Sequence, residues 1–363
     1  MADINLKHTP LFPLHVEHGA KMGAFAGYSM PLFYPLGLVK EHLHTRSRAG
    51  LFDISHMVHI EVVGNEAADL ISRLCPIIPA EQEIGTCKYT FFLNEEAGII
   101  DDLIVTKLEE TRFLIVANAG CAEKDIAHVN AIAKAFDCSI TIVPRGFIAA
   151  QGPTAEATLM SFGLNVADMA FMTAKETEDG KFISRTGYTG EDGFEIALPE
   201  AETASFAQAL LENSDVELIG LGARDSLRLE AGLSLYGQDL DKRTTPAEAG
   251  RILAIPKPLR EGGSFIGANA LTSKLATGRQ RQRIGLKPKQ KIPVRAGATL
   301  LNANGDTIGV VTSGGFGPSI DYPVALGMVE TAASKGTIFA EVRGKQIEME
   351  TAKIPFVPHN YKR

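Results

Sequence analysis

One order of elements dominates the middle of the chain: strand, helix, paired strands, helix, strand. Apolar and polar residues alternate over 55–63, and Asn65 is placed to cap a helix that carries Leu70, Ile71 and Leu74 on one side. Residues 88–93 and 99–107 read as a hairpin and 113–117 as a strand. Ile126, Val129, Ala133 and Phe136 recur at helical spacing before a strand over 139–143. A similar order follows: strand 147–150, helix 155–162, strands over 170–173, 181–186 and 193–198, then a helix with Phe206, Leu210 and Leu211. Helices that interrupt β-rich units point to an α+β fold of split βαβ-like units rather than a doubly wound parallel sheet.

The rhythm changes near residue 275. Gly278-Arg-Gln-Arg-Gln-Arg283 and Lys287-Pro-Lys-Gln-Lys291 form a basic stretch that reads as a solvated connector, with docking of an acidic partner as its functional alternative. Beyond it, short β-rich runs separated by glycine turns predict a C-terminal β-barrel or sandwich. With 363 residues, 45% of them hydrophobic, the chain has material for two or three domains. A net charge of −7 argues against a nucleic-acid binder, and no apolar run reaches spanning length. Met1-Ala-Asp-Ile-Asn-Leu-Lys7 has neither a signal peptide's apolar core nor an arginine-rich transit pattern, so a cytoplasmic location is expected.

The densest chemistry lies in Gly98-Ile-Ile-Asp101-Asp102-Leu-Ile-Val105. Two adjacent acids interrupt an apolar strand. On a regular strand Asp101 shares a face with Ile99, Leu103 and Val105 while Asp102 points the other way. A carboxylate on an apolar face is costly unless something satisfies it. A hairpin end after Asn94-Glu-Glu-Ala-Gly98 is the plainer explanation. Thr186-Gly-Tyr188-Thr-Gly-Glu-Asp-Gly-Phe-Glu195 combines close-approach glycines with an aromatic and with an acid between Phe194 and Ile196.

Gly220-Leu-Gly222 lacks the third glycine and the context of a dinucleotide fingerprint. On the helix that follows, Arg224 and Arg228 stand one turn apart, and exposed ion pairing is the plain reading for Arg228. His56 and His59 would face opposite sides of a strand, and Cys75, Cys87, Cys121 and Cys138 are widely spaced. No metal site, disulfide framework or covalent nucleophile is expected.

Asp53-Ile-Ser-His-Met57, the run 98–105, the run 186–195, Gly222-Ala-Arg-Asp-Ser-Leu-Arg-Leu-Glu-Ala-Gly232 and Leu235-Tyr-Gly-Gln-Asp239 occur in this order. Together they resemble the aminomethyltransferase (T-protein) family of the glycine cleavage system, with the likeness running from Thr9 to Tyr361. The resemblance implies a three-domain clover around a folate cavity, with domains over 1–52 plus 145–275, 53–144, and 279–363. It implies tetrahydrofolate as co-substrate, a lipoylated H-protein as carrier, and other glycine cleavage components as indirect partners.

Position by position, the resemblance makes Asp101 the acid beside the reacting folate nitrogens. An ordinary Asp titrates near ~3.9, so a carboxylate is expected there. Glu195 matches the acid at the pterin edge and Arg224 a further folate contact. Tyr89, Tyr188 and Tyr361 match an aromatic wall, with Met57 and Asn118 beside them. The chain departs from the family pattern at Tyr28 and in Arg251-Ile-Leu-Ala-Ile-Pro256, where the family commonly has Trp and this chain has none. Rival readings are a folate-dependent demethylase-like module, normally joined to a flavin domain, and a non-catalytic folate-binding assembly factor with a Lys-Gly-Cys-Tyr-like motif absent here.

Overall fold

The computed structural model describes residues 6–363; residues 1–5, on which the leader expectation largely rests, lie outside them. The first large sheet has the order Ala174–Glu176, Phe182–Ser184, Gly193–Leu198, Gly146–Gln151, Ala49–Asp53, Val216–Leu218. Only its last pair is parallel. The second sheet is antiparallel throughout, in the order Cys87–Leu93, Ile99–Glu109, Arg112–Ala117, Val58–Val63, Ser139–Ile142. The expected α+β character therefore holds. Residues beyond 280 close a six-stranded barrel.

Each large sheet buries one face under its own helices. Leu14, Leu159 and Leu210 cover the first sheet, while Leu70, Ile71, Leu74 and Val129 cover the second. The remaining faces meet each other: Phe52, Phe147, Phe182 and Ala197 of the first sheet pack against Leu114 and Val116 of the second. Burying each such Phe contributes about 1.5–3 kcal/mol, enough to fix the two sheets as one body.

The helix Leu221–Glu230 is the common post of the molecule. Ala223 and Leu227 enter the layer between the sheets, and Leu229 packs against Val324 and Leu326 of the barrel. Its buried Glu230 bonds His42 of the helix Leu38–Ser47 and Ser319 of a barrel loop.

Several expectations need correction. The basic stretch is not a connector: Arg281–Pro288 is the barrel strand that closes the ring between Tyr322–Glu330 and Lys345–Ala352. Three of its charges are paired, Arg281 with Glu248, Lys289 with Glu348 and Lys291 with Asp321. Residues 170–173 form a turn, and the strand is Ala174–Glu176. Asn65 does not cap its helix; Glu66 occupies that position, and the Asn65 amide bonds Asp137. The strand expected from residue 55 begins at Val58, so His56 lies in the preceding turn.

Residues 240–271 contribute Leu240, Ala249, Ile255, Phe265 and Leu271 to a cluster with Phe91, Leu93 and Ile99 of the second sheet. They dock on its hairpin end: Ile99 N–H donates to the Thr244 carbonyl at 3.0 Å, and a Cβ on Gly98 would stand 1.8 Å from the Lys242 carbonyl oxygen. Backbone cannot yield as a side chain end can. Gly98→Ala is expected to destabilise the fold by about 1–3 kcal/mol, the usual cost of overpacking, read as a lower midpoint in urea unfolding.

Candidate active site

Asp101 and Asp102 occupy the strand Ile99–Glu109 just after a bulge that sets Asp101 opposite Phe92 but Ile99 opposite Leu93. The extra residue moves Ile99 to the other face, so only Leu103 and Val105 share the Asp101 side. Asp101 is fully buried and turns beneath the sheet toward Cys121 and Asp125. Asp102 is half-buried on the opposite face, where the Tyr89 hydroxyl donates to its Oδ2 at 2.9 Å.

Asn118, at the end of the strand Arg112–Ala117, ties the two acids together. Its backbone N–H and its Nδ2 donate to Asp101 at 3.1 and 3.0 Å. The same Nδ2 reaches the Asp102 carbonyl at 2.9 Å and its Oδ1 at 3.3 Å. Burial, and then the charge of Asp101, push the Asp102 carboxyl up to about 7; the Tyr89 bond and Arg251 act the other way.

Across from Asp102 stands the loop that leads into the strand Gly193–Leu198. The Arg224 guanidinium lies over the Tyr188 ring, 4.8 Å from its centroid, and the Tyr188 hydroxyl donates to the Ser234 carbonyl. Glu195 takes a hydrogen bond from Thr186 on Oε2, and among the described residues its Oε1 accepts none. Burial raises the Glu195 pKa and lowers that of Arg224, each opposed by the charge of the other.

Tyr89, Asp102, Tyr188, Glu195, Arg224 and Arg283 share one signature. Burial is the largest cause of the shift at each, yet all keep accessible surface. Side chains enclosed by protein but still accessible line a cavity.

Arg251 and Arg283, neither of which the sequence singled out for this site, complete its charge. Arg251 donates to the Gly232 carbonyl and Arg283 to Ser234, while the Nε of each is buried without a partner among the described residues. Burial, then Arg251, bring Arg283 down to about 10. The signals were present but misassigned: Arg251 as a departure from the family pattern, Arg283 as part of a linker.

Tyr361 reaches this region from the C-terminal tail, stacked on Phe171 at 3.9 Å with Arg251 among its charged neighbours. Met57 packs in the layer between the sheets beside Ala223. Arg228 is ion-paired, though buried rather than exposed, to Asp225 and Asp239. A surface cleft of about 350 Å³ beside the barrel is lined by Asp241, Arg243, Arg281 and Glu330 and by none of the residues above except Asp239. Its arginines are satisfied by Asp241 and Glu248.

Two family descriptions match the chain: the GCVT N-terminal domain over residues 11–257 and the glycine cleavage T-protein C-terminal barrel domain over residues 281–358. The chain belongs to the glycine cleavage T-protein family. Among relatives of this family, the mitochondrial aminomethyltransferase of Homo sapiens is 41% identical over 98% of this chain and 91% of its own. That of Flaveria anomala is 40% identical over 99% and 92%. The crystal structure of the glycine cleavage system aminomethyltransferase T from Bartonella henselae superposes with a TM-score of 0.96 at 50% identity, covering 99% of this chain and all of that one. Such end-to-end likeness does not favour the demethylase-module or assembly-factor readings. The curated relatives are named mitochondrial, so the cytoplasmic expectation draws no support from them. Among the described residues no helix is long and apolar enough to cross a membrane.

The Tyr89 bond stabilises the Asp102 carboxylate, so Tyr89→Phe is expected to raise the Asp102 pKa above its present value of about 7. Carboxyl-carbon NMR titration of labelled aspartate reads the shift directly.

Proposed function

We propose that this chain moves a one-carbon unit from an aminomethylated lipoyl arm, carried by a partner H-protein, to tetrahydrofolate in the Tyr89–Tyr188 cavity. The observation that carries this reading is the donor and acceptor set left over there. A free Glu195 oxygen suits the N–H donors of a pterin edge. Arg251 Nη1 and Arg283 Nη2, which bond no group among the described residues, suit the carboxylates of a folate tail. Tyr188 and Tyr361 supply flat apolar surface for the ring system.

The overall change balances without an outside oxidant. The C–S bond of the carrier thioether and its C–N bond break, and two C–N bonds form to the folate amines N5 and N10. The two amine protons leave with the dihydrolipoyl thiol and with ammonia. The product is 5,10-methylenetetrahydrofolate.

Asp101, the acid the family resemblance favours for this step, is turned away from the cavity and fully buried. We assign the task to Asp102 instead. Its carboxylate faces the cavity, and with a pKa pushed up to about 7 it is matched to accepting an amine proton near neutral pH. It also places negative charge beside the carbon on which positive charge develops. Tyr89 and Asn118 hold it in one orientation. The Thr186 hydrogen bond and Arg224, braced on Tyr188, oppose the burial that raises the Glu195 pKa.

Incubation with an aminomethylated lipoyl carrier, with and without tetrahydrofolate, tests the reading. Folate-dependent ammonia release is expected, and none would sink it. Asp102→Asn should lower kcat by about 10²–10⁴-fold, while Glu195→Gln should mainly raise the folate KM. Because the carboxylate is the working form, kcat/KM should fall as pH drops below about 7 and Asp102 takes up a proton. A profile flat through that range would remove Asp102 from the mechanism.

A further inference from the structure

Behind the cavity, beneath the strand that carries Asp102, lies a second acidic group for which the reaction has no direct use. Asp125, in the first turn of the helix Ala122–Ala133, is completely buried, and among the described residues both its oxygens lack a partner when it is treated as a carboxylate. An oxygen of Asp125, an oxygen of Asp101 and the Cys121 sulfur all lie within 4.8 Å of one another. Two carboxylates side by side can hydrogen-bond each other directly only if one carries a proton.

We infer that Asp125 is a positioning residue: it carries a proton and donates it to Asp101, so that the buried pair holds one negative charge and fixes Asn118, and through it Asp102, at the cavity wall. The inference rests on the proposed role of Asp102.

Magnitudes favour the shared proton. Two unit charges at about 4 Å repel by about 4 kcal/mol at an effective dielectric near 20. The helix N-terminus returns about 0.3–1 kcal/mol to a carboxylate in its first turn. Lys124 offsets only part of the difference, because its ammonium is turned to the Ile100 carbonyl and over the Tyr236 ring, 3.9 Å from its centroid. The other titratable groups around Asp125 add no positive charge. They are Cys121 at the N-cap of its helix and His128 within it, Asp101 and Asp102 on the strand, and Cys75 beyond the end of the neighbouring helix Ala67–Leu74. Burial keeps His128 neutral and both thiols protonated.

The proton's location follows from the hydrogen bonds. Asp101 already accepts two from Asn118, whereas Asp125 accepts none among the described residues. Burial and the charge of Asp101 accordingly push Asp125 up to about 9.

Two readouts test this, one of them independent of the reaction. At about pH 8, above the Asp102 value and below that of Asp125, infrared difference spectra should contain the carbonyl stretch of a protonated buried carboxyl that Asp125→Asn removes. The absence of that band, or a stoichiometric metal in the purified protein that Asp125→Asn abolishes, would overturn the inference. In transfer assays Asp125→Leu, which removes the donor, should lower kcat by about tenfold, the worth of one charge-assisted hydrogen bond, with the folate KM nearly unchanged. Asp125→Asn should restore the rate, because its amide donates to Asp101 without adding charge; an Asn variant as slow as the Leu variant would also overturn it. Loss of wild-type transfer with the infrared band intact would instead count against the proposed function alone.

Discussion

Adjacent residues on a strand are held to opposite faces, and here both are acids. That constraint puts one carboxylate beneath the second sheet and the other at the cavity wall, with a single Asn118 amide reaching both. The buried charge of Asp101 is tolerable because Asn118 satisfies it from two nitrogens. The same charge, a few ångströms from Asp102, contributes to holding the cavity-facing carboxyl near neutrality instead of in the ordinary acidic range. Moving Asp102 by one position would put its charge into the apolar layer between sheet and helices and leave the cavity without its acid.

The cavity is a product of three separate cores meeting. The second sheet supplies Tyr89 and Asp102, and the first sheet with its glycine-rich loop supplies Tyr188 and Glu195. The barrel supplies Arg283 from its first strand. The helix Leu221–Glu230 holds these parts in register because its faces pack simultaneously on both sheets, the helix Leu38–Ser47 and the barrel. The tail after the barrel returns across the first sheet's loops: Asn360 bonds Gly190 and Glu191, and Lys362 bonds Glu156. It thereby sets Tyr361 against Phe171.

Much of the fold was legible because its signals are local. The hairpin 88–107, the helices bearing Leu70 and Val129, and the strand 193–198 follow from periodicity alone. The first barrel strand was hidden because alternate Arg and Gln at 279–283 look like a solvated run until a partner strand and acidic neighbours are present. Its inward Arg283 and the distant Arg251 meet only through closure of the barrel, which no local window encodes. That Asp102 rather than Asp101 faces Tyr89 has a smaller cause: strand alternation separates the two faces but does not say which is cavity and which is core.

The sequence by itself determined that two acids sit back to back on an apolar strand, that a glycine-rich loop with Tyr188 and Glu195 exists elsewhere, and that α+β units precede a barrel. These are matters of spacing and side-chain chemistry, readable within a few residues. The tertiary structure alone decided which acid meets the cavity, which arginines complete it, and where the unpartnered Asp125 lies. The reason is that burial and charge–charge coupling depend on which faces are pressed together, and those faces belong to segments more than a hundred residues apart, as the bond between His42 and Ser226 illustrates.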